Sequence, residues 1–257
     1  MATLPVTLPG SRPARSPDRA LRSGHHHLPR ELVVTTQRER IIDAFVQVVA
    51  ERGYARTTVA GVCKEAGVSS KTFYVHFTDK EDCFLSAYDL GIEMLMGAMG
   101  RAYATPGPWP ARLRAALGTL LEILASEPSF ARVAVVEVNA AGPRAIDRLT
   151  SVLRGLMAYF DEAEDVGEHE AEDEDVGGQG SADGGEPGGY PDPRRLGVPA
   201  EVTASLVPAV IGGIYVRIYA YVVEGAASRL PELLSPLTYF ALLPFIGQVE
   251  AARELQH

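Results

Sequence analysis

The stretch Ala66-Gly67-Val68-Ser69-Ser70-Lys71-Thr72-Phe73-Tyr74-Val75-His76-Phe77-Thr78-Asp79-Lys80 decides the reading of this 257-residue chain. Gly67 is free to take left-handed backbone angles, and Ser69 has the hydroxyl that caps a following helix. In a helix over Ser70 to Phe77, Phe73 and Phe77 lie one turn apart and face inward, with Val68 packing beneath the turn. The opposite face then presents Lys71 and Val75, flanked by Thr72 and Tyr74. Upstream, Thr58 opens a helix over Val59 to Ala66. Helix, glycine-containing turn and second short helix together form the helix-turn-helix pattern. A helix anchored on one side and offering an ammonium, hydroxyls and a phenol on the other suits the major groove of DNA. An ordinary helical hairpin inside an all-α core has the same outline.

Working outward, Thr36-x-x-Glu39 reads as a capping box opening a first helix. Ile42, Phe45, Val46 and Val49 fall at helical spacing on one stripe. Gly53 stops that helix, and Thr78-Asp79 caps a fourth beginning near Lys80. Residues 1–34 carry Pro5, Pro9, Pro13, Pro17 and Pro29 among Arg12, Arg15, Arg19, Arg22 and Arg30, which predicts a disordered basic arm.

The formal charge of −9 conceals an asymmetry. Asp161 to Asp192 holds 13 acidic residues and no Lys or Arg, whereas the first 80 residues hold 12 Lys/Arg against 7 Asp/Glu. A basic N-terminal third raises the expectation of a polyanion partner. The acidic, glycine-loaded tract, taken to about residue 195, is expected to be a disordered insertion. No apolar run approaches the roughly 20 residues of a membrane span, and the arginine-rich start lacks the apolar segment of a secretory signal. Cys63 and Cys83 cannot form a disulfide framework, so a reducing cytoplasm is expected. No His/Asp/Glu group has metal-site spacing, and His25, His26 and His27 read as tail histidines. With no phosphate loop or nucleophile elbow either, no enzyme, cofactor or metal is expected.

The run from Thr57-Thr58-Val59-Ala60 through Ala66-Gly67-Val68-Ser69-Ser70-Lys71-Thr72-Phe73-Tyr74-Val75-His76-Phe77-Thr78-Asp79-Lys80-Glu81 closely resembles the DNA-binding domain of the TetR/AcrR family of bacterial transcription regulators. The resemblance covers about Thr36 to Tyr88. It implies that Ser70, Lys71 and Thr72, following the cap Ser69, are placed to read bases. It also implies that Tyr74, His76, Lys80 and Thr58 hold backbone phosphates. Lys71 would specify through guanine O6 and N7, while the apolar Val75 would line the groove.

Downstream, the pattern is of helices punctuated at Pro106-Gly107-Pro108, Pro128 and Gly142-Pro143. Met94, Met96, Met99, Phe130 and Met157 are candidates to line a pliable cavity, although plain core is the commoner place for such residues. Apolar helices over Pro199–Glu224 and Pro231–Glu254, expected to kink at Pro208 and Pro244, are apolar round more than one side and would pair with their copies in a four-helix dimer interface. Arg217 is expected to pair with Glu137.

The expectation is therefore an all-α protein. An N-terminal three-helix helix-turn-helix DNA-binding domain (35–80) precedes a larger helical ligand-binding and dimerisation bundle (81–257). The resemblance implies a homodimeric repressor on a palindromic double-stranded DNA operator, released by a small apolar or amphipathic effector. A ligand-independent regulator, an activator, and a helical ligand-binding protein with weak nonspecific DNA binding are the other readings.

Overall fold

The computed structural model describes residues 7–14, 30–161 and 205–256. The described residues are helical, with turns between. α1 (Arg30–Arg52), α2 (Val59–Ala66) and α3 (Ser70–His76) form a small unit from which α4 (Lys80–Tyr103) leads into the bundle. The first helix starts six residues before the expected capping box, leaving Thr36 inside it. After Pro29 no residue opposes helix, and Glu31 in the first turn complements the positive helix end. The expected stripe holds, with Ile42, Phe45, Val46 and Val49 all buried.

The local punctuation follows from side-chain chemistry. Thr58 Oγ1 accepts the Gly61 N–H at 3.1 Å, and Ser69 Oγ accepts the Thr72 N–H at 3.0 Å. Gly67 takes the left-handed conformation at φ +65°, which closes α2 through Cys63. At α4 the cap is Asp79, whose carboxylate accepts the Asp82 N–H at 2.8 Å. Asp82 answers by accepting the Thr78 N–H at 2.8 Å, a reciprocal box that fixes the α3–α4 corner.

Residues 7–14 of the arm depart from expectation. Residues 7–14 form a strap folded against α1, with Leu8 and Ala14 buried. The Gly10 N–H donates to Asp43 Oδ1 at 2.8 Å, and Gln47 Nε2 donates to the carbonyls of Gly10 and Arg12. Arg40 donates both to the Ala14 carbonyl (3.1 Å) and to the Ala66 carbonyl (2.6 Å), so one guanidinium joins the strap to the last turn of α2. Gly10 has φ +88°, and a Cβ there would run into Val46, so no other residue seats the strap this closely. The clustered prolines did not exclude this structure, because a strap needs no helix. The three clustered histidines and the acidic tract beyond Asp161 lie outside the described residues.

α5 (Trp109–Ser126), α6 (Pro128–Ala131), α7 (Pro143–Gly155), α8 (Leu206–Val223) and α9 (Leu234–Arg253) complete the bundle. α6 continues into a π turn, Arg132–Val136, and a 3-10 turn, Glu137–Ala140. α4 and α6 approach closely at Gly91, where a Cβ would strike the Phe130 ring. A continuous core joins the α1–α4 unit to the bundle. A second cluster around Trp109, Phe160 and Leu242 closes the far end. There the Trp109 Nε1–H donates to the Tyr159 carbonyl at 2.9 Å. Pro208 falls in the first turn of α8, where no intrahelical N–H is required, so it does not kink that helix. The break in α9 comes at Gly247 (φ +76°), three residues after Pro244.

Two described stretches, Leu206–Val223 and Ala227–Arg253, are long and apolar enough by length and composition to cross a membrane, contrary to the expectation that none would be. Their inner faces pack in the bundle through Ile211, Ile218, Leu237 and Leu242, while Val216, Tyr219, Val223 and Phe240 stand exposed.

Candidate nucleic-acid interface and internal cavity

The α3 helix is built as its sequence requires. Phe73 and Phe77 are buried, their rings 5.5 Å apart. On the outer face Ser70 and Lys71 are exposed, with Tyr74 at 58% and Val75 at 69% of full exposure. These two neighbours are among the most exposed large hydrophobic side chains of the described residues. Tyr74 is held upright by an edge-on contact with Phe73, centroids 5.4 Å apart.

The other expected contact residues stand in different situations. Ser69 and Thr72 hydrogen-bond to each other through their hydroxyls at 2.9 Å, which spends part of their capacity on the cap itself. Thr58 is exposed at the N-terminus of α2. His76 is half-buried, its Nε2 enclosed without a hydrogen-bond partner. Burial, and secondarily the charge of Arg38, lower its pKa, so its neutral form is favoured. The Lys80 ammonium lies inward, donating to the Tyr54 carbonyl at 3.0 Å and sitting 4.0 Å from the centroid of the Tyr54 ring. Burial lowers its pKa too. Arg38, which the sequence reading did not single out, is exposed and lies over the Phe77 ring at 5.3 Å. Only its distance along α1 from α3 hid it.

The loop between α1 and α2 is gripped from two sides at Tyr54. Its carbonyl takes Lys80, at the start of α4, and its N–H donates to Glu137 Oε2 at 2.8 Å. Glu137 is buried and pairs with Arg132 at 3.1 Å. The expected pair with Arg217 does not form. Arg217 points outward from α8 and lies over the Tyr221 ring at 5.2 Å.

The bundle holds an apolar cavity that opens to solvent, with about 880 Å³ of empty space when that mouth is counted. Its walls include Tyr88, Ile92, Leu95 and Met99 at helical spacing along α4, the π turn at Ala134 and Val135, and Tyr215 on α8. Among the described residues no charged side chain lines it. Of the five candidates only Met99 takes part, and the other four are core, the commoner reading for such residues. Met94 and Met96 lie on other faces of α4, Phe130 is spent filling the space beside Gly91, and Met157 packs on the far cluster. Among the described residues there is no group of three or more metal-ligating side chains.

Residues 41–87 match the sequence profile described as bacterial regulatory proteins, tetR family. Among curated proteins, the fatty acid metabolism regulator protein of Bacillus subtilis is 26% identical over 122 residues, covering 48% of this chain and 63% of that protein. The match thus spans less than two thirds of that relative. Among solved structures, the fatty acid degradation regulator FadR of Bacillus halodurans superposes with a TM-score of 0.59 at 20% identity, covering 80% of this chain and 94% of that one. FadR of Bacillus subtilis, solved in complex with stearoyl-CoA, gives 0.56 at 19% identity, covering 81% and 97%. At these identities the structures show a shared fold. The relatives are regulators rather than enzymes. Over residues 41–87, its helix-turn-helix unit, this chain matches the tetR family of bacterial regulatory proteins.

Proposed function

We propose that the protein is a cytoplasmic, homodimeric transcriptional repressor that releases a palindromic DNA operator when a long apolar acyl compound occupies its cavity. Residues 35–80 are its reading domain and 81–257 its regulatory domain. The observation that carries the reading is the outer face of α3, where Lys71, Tyr74 and Val75 are exposed over a buried Phe73–Phe77 pair. In the groove, Ser70, Lys71 and Thr72 face base edges. Tyr74 and His76 take phosphate, as do Ser69 and Thr58 at their helix N-termini. Lys80 contributes by holding Tyr54 and shaping the domain, since its ammonium is turned inward.

The acyl assignment is supported by the absence of charge among the described side chains of the cavity wall and by the B. subtilis FadR complex with stearoyl-CoA. The dimer is supported by the exposed apolar faces of α8 and α9, of the kind that a second copy covers in a helical bundle. Release then follows by population shift: an occupant pressing on Ala134 and Val135 moves the π turn, and with it Glu137 and its hold on Tyr54.

The test is selection of genomic fragments by the purified full chain, followed by titration of the enriched fragment with stearoyl-CoA. Enrichment of one palindromic sequence, and its release by the acyl thioester at matched salt, is the expected result. Retention of the fragment at saturating thioester removes the acyl assignment, and recovery of unenriched DNA removes the regulator itself.

A further inference from the structure

Among the described residues, the cavity wall carries one fully buried side-chain polar atom with no hydrogen-bond partner. Tyr88 is 1% exposed, and its hydroxyl makes no hydrogen bond. Buried hydroxyls are almost always paired, because leaving one bare forfeits its hydration for nothing. Tyr215, on the facing wall, is already satisfied. Its hydroxyl donates to the Val135 carbonyl at 2.8 Å and accepts from Asn139 Nδ2 at 3.0 Å. Thr238 also has a bare buried hydroxyl, but it does not line the cavity.

We propose that the Tyr88 hydroxyl is the effector's internal hydrogen-bond donor, and that the effector carries a neutral oxygen acceptor, a carbonyl or ether, on an otherwise apolar body. This rests on reading the cavity as the effector site. A carboxylate or phosphate beside Tyr88 would find no cation among the described lining side chains, so any ionic part of the ligand stays outside. Burial holds the phenol's pKa above its usual value, which keeps the group a donor. The position suits a sensor. The Tyr88 ring stacks on Phe84 at 6.1 Å, and Phe84 meets Tyr54 and Phe45 edge-on at 5.3 and 6.3 Å. An oxygen drawn to Tyr88 therefore bears on a row of rings that reaches α1 and the Tyr54 loop.

The experiment compares 2-undecanone with 1-undecene as competitors for a neutral fluorescent probe, N-phenyl-1-naphthylamine, on the wild-type full chain and on Tyr88→Phe. The substitution keeps the ring and removes only the bare hydroxyl, and a thermal melt checks that the variant is folded. Wild type is expected to release the probe to the ketone at roughly tenfold lower concentration than to the alkene, and Tyr88→Phe to lose that gap while its response to the alkene is unchanged. Equal displacement by both competitors from wild type, or a gap that persists in Tyr88→Phe, overturns the proposal and leaves the cavity as a ligand site. Failure of the probe and of both competitors to bind overturns the cavity reading along with it.

Discussion

The carboxylate of Glu137 accepts the backbone N–H of Tyr54 at 2.8 Å, joining positions 83 residues apart in sequence. It ties the loop behind α1 to the turn that follows the cavity wall. Because Arg132 pairs with the same carboxylate, removing it leaves both a buried N–H and a half-buried guanidinium without their partner. Glu137→Ala is expected to lower unfolding free energy by about 2–3 kcal/mol, and Glu137→Gln, which keeps an acceptor, by about 1 kcal/mol. Urea denaturation of both variants checks the order.

How much of this was legible in the sequence depends on the range of the forces involved. The caps at Thr58 and Ser69 and the turn at Gly67 are settled within four residues, and the α3 faces follow from helical spacing, so all were readable. The start of α1 was misread because Thr36 and Glu39 make a good local cap, while nothing local forbids an earlier start. Glu137 was paired with the wrong arginine because a cation five residues away, on a π turn that spacing rules do not anticipate, reached it first. Residue type alone offered four methionines and Phe130 as cavity candidates and could not separate them from plain core. The structure builds it from a periodic face, Tyr88, Ile92, Leu95 and Met99, that the sequence displays equally well.

The strap adds stability that the helix-turn-helix alone lacks. Leu8→Ala is expected to cost about 2 kcal/mol from lost burial. Gly10→Val is expected to unseat the strap altogether, because the site combines positive φ with a direct clash on Val46. Thermal unfolding, together with faster proteolysis ahead of α1, reports both effects.

At the α4–α6 crossing, Gly91→Ala is expected to destabilise the fold by about 1–3 kcal/mol through overpacking against Phe130. Phe130→Leu in the same chain is expected to recover part of that loss. A double-mutant cycle in urea measures the coupling.

His76 sets a pH response. Its folded pKa lies below the ordinary 6.5, so the unfolded chain takes up its proton first as pH falls. The stability it contributes is whole above about pH 6.5 and is lost as pH drops through the window below that value. The difference in unfolding midpoint between wild type and His76→Gln, followed from pH 7.5 to pH 5, is expected to move against wild type as the pH drops.

The proposed dimer places the exposed apolar faces of α8 and α9 against their copies. Val216→Glu with Phe240→Glu is expected to convert a dimer to a monomer in sedimentation and to weaken operator binding at least tenfold, since a single reading helix loses its tethered partner. An unchanged dimer would move the interface elsewhere, and binding to neutral lipid vesicles would give these faces to a membrane.

The most direct measurement is the affinity of the purified protein for its selected palindrome and for a scrambled duplex of equal length, across a salt series, in wild type and in Lys71→Ala/Tyr74→Phe. If α3 reads sequence, wild type prefers the palindrome by at least a thousandfold at physiological salt. The double variant then loses most of that preference while keeping most of its salt-dependent nonspecific binding. Equal affinity for both duplexes in wild type, or an undiminished preference in the variant, would contradict the account.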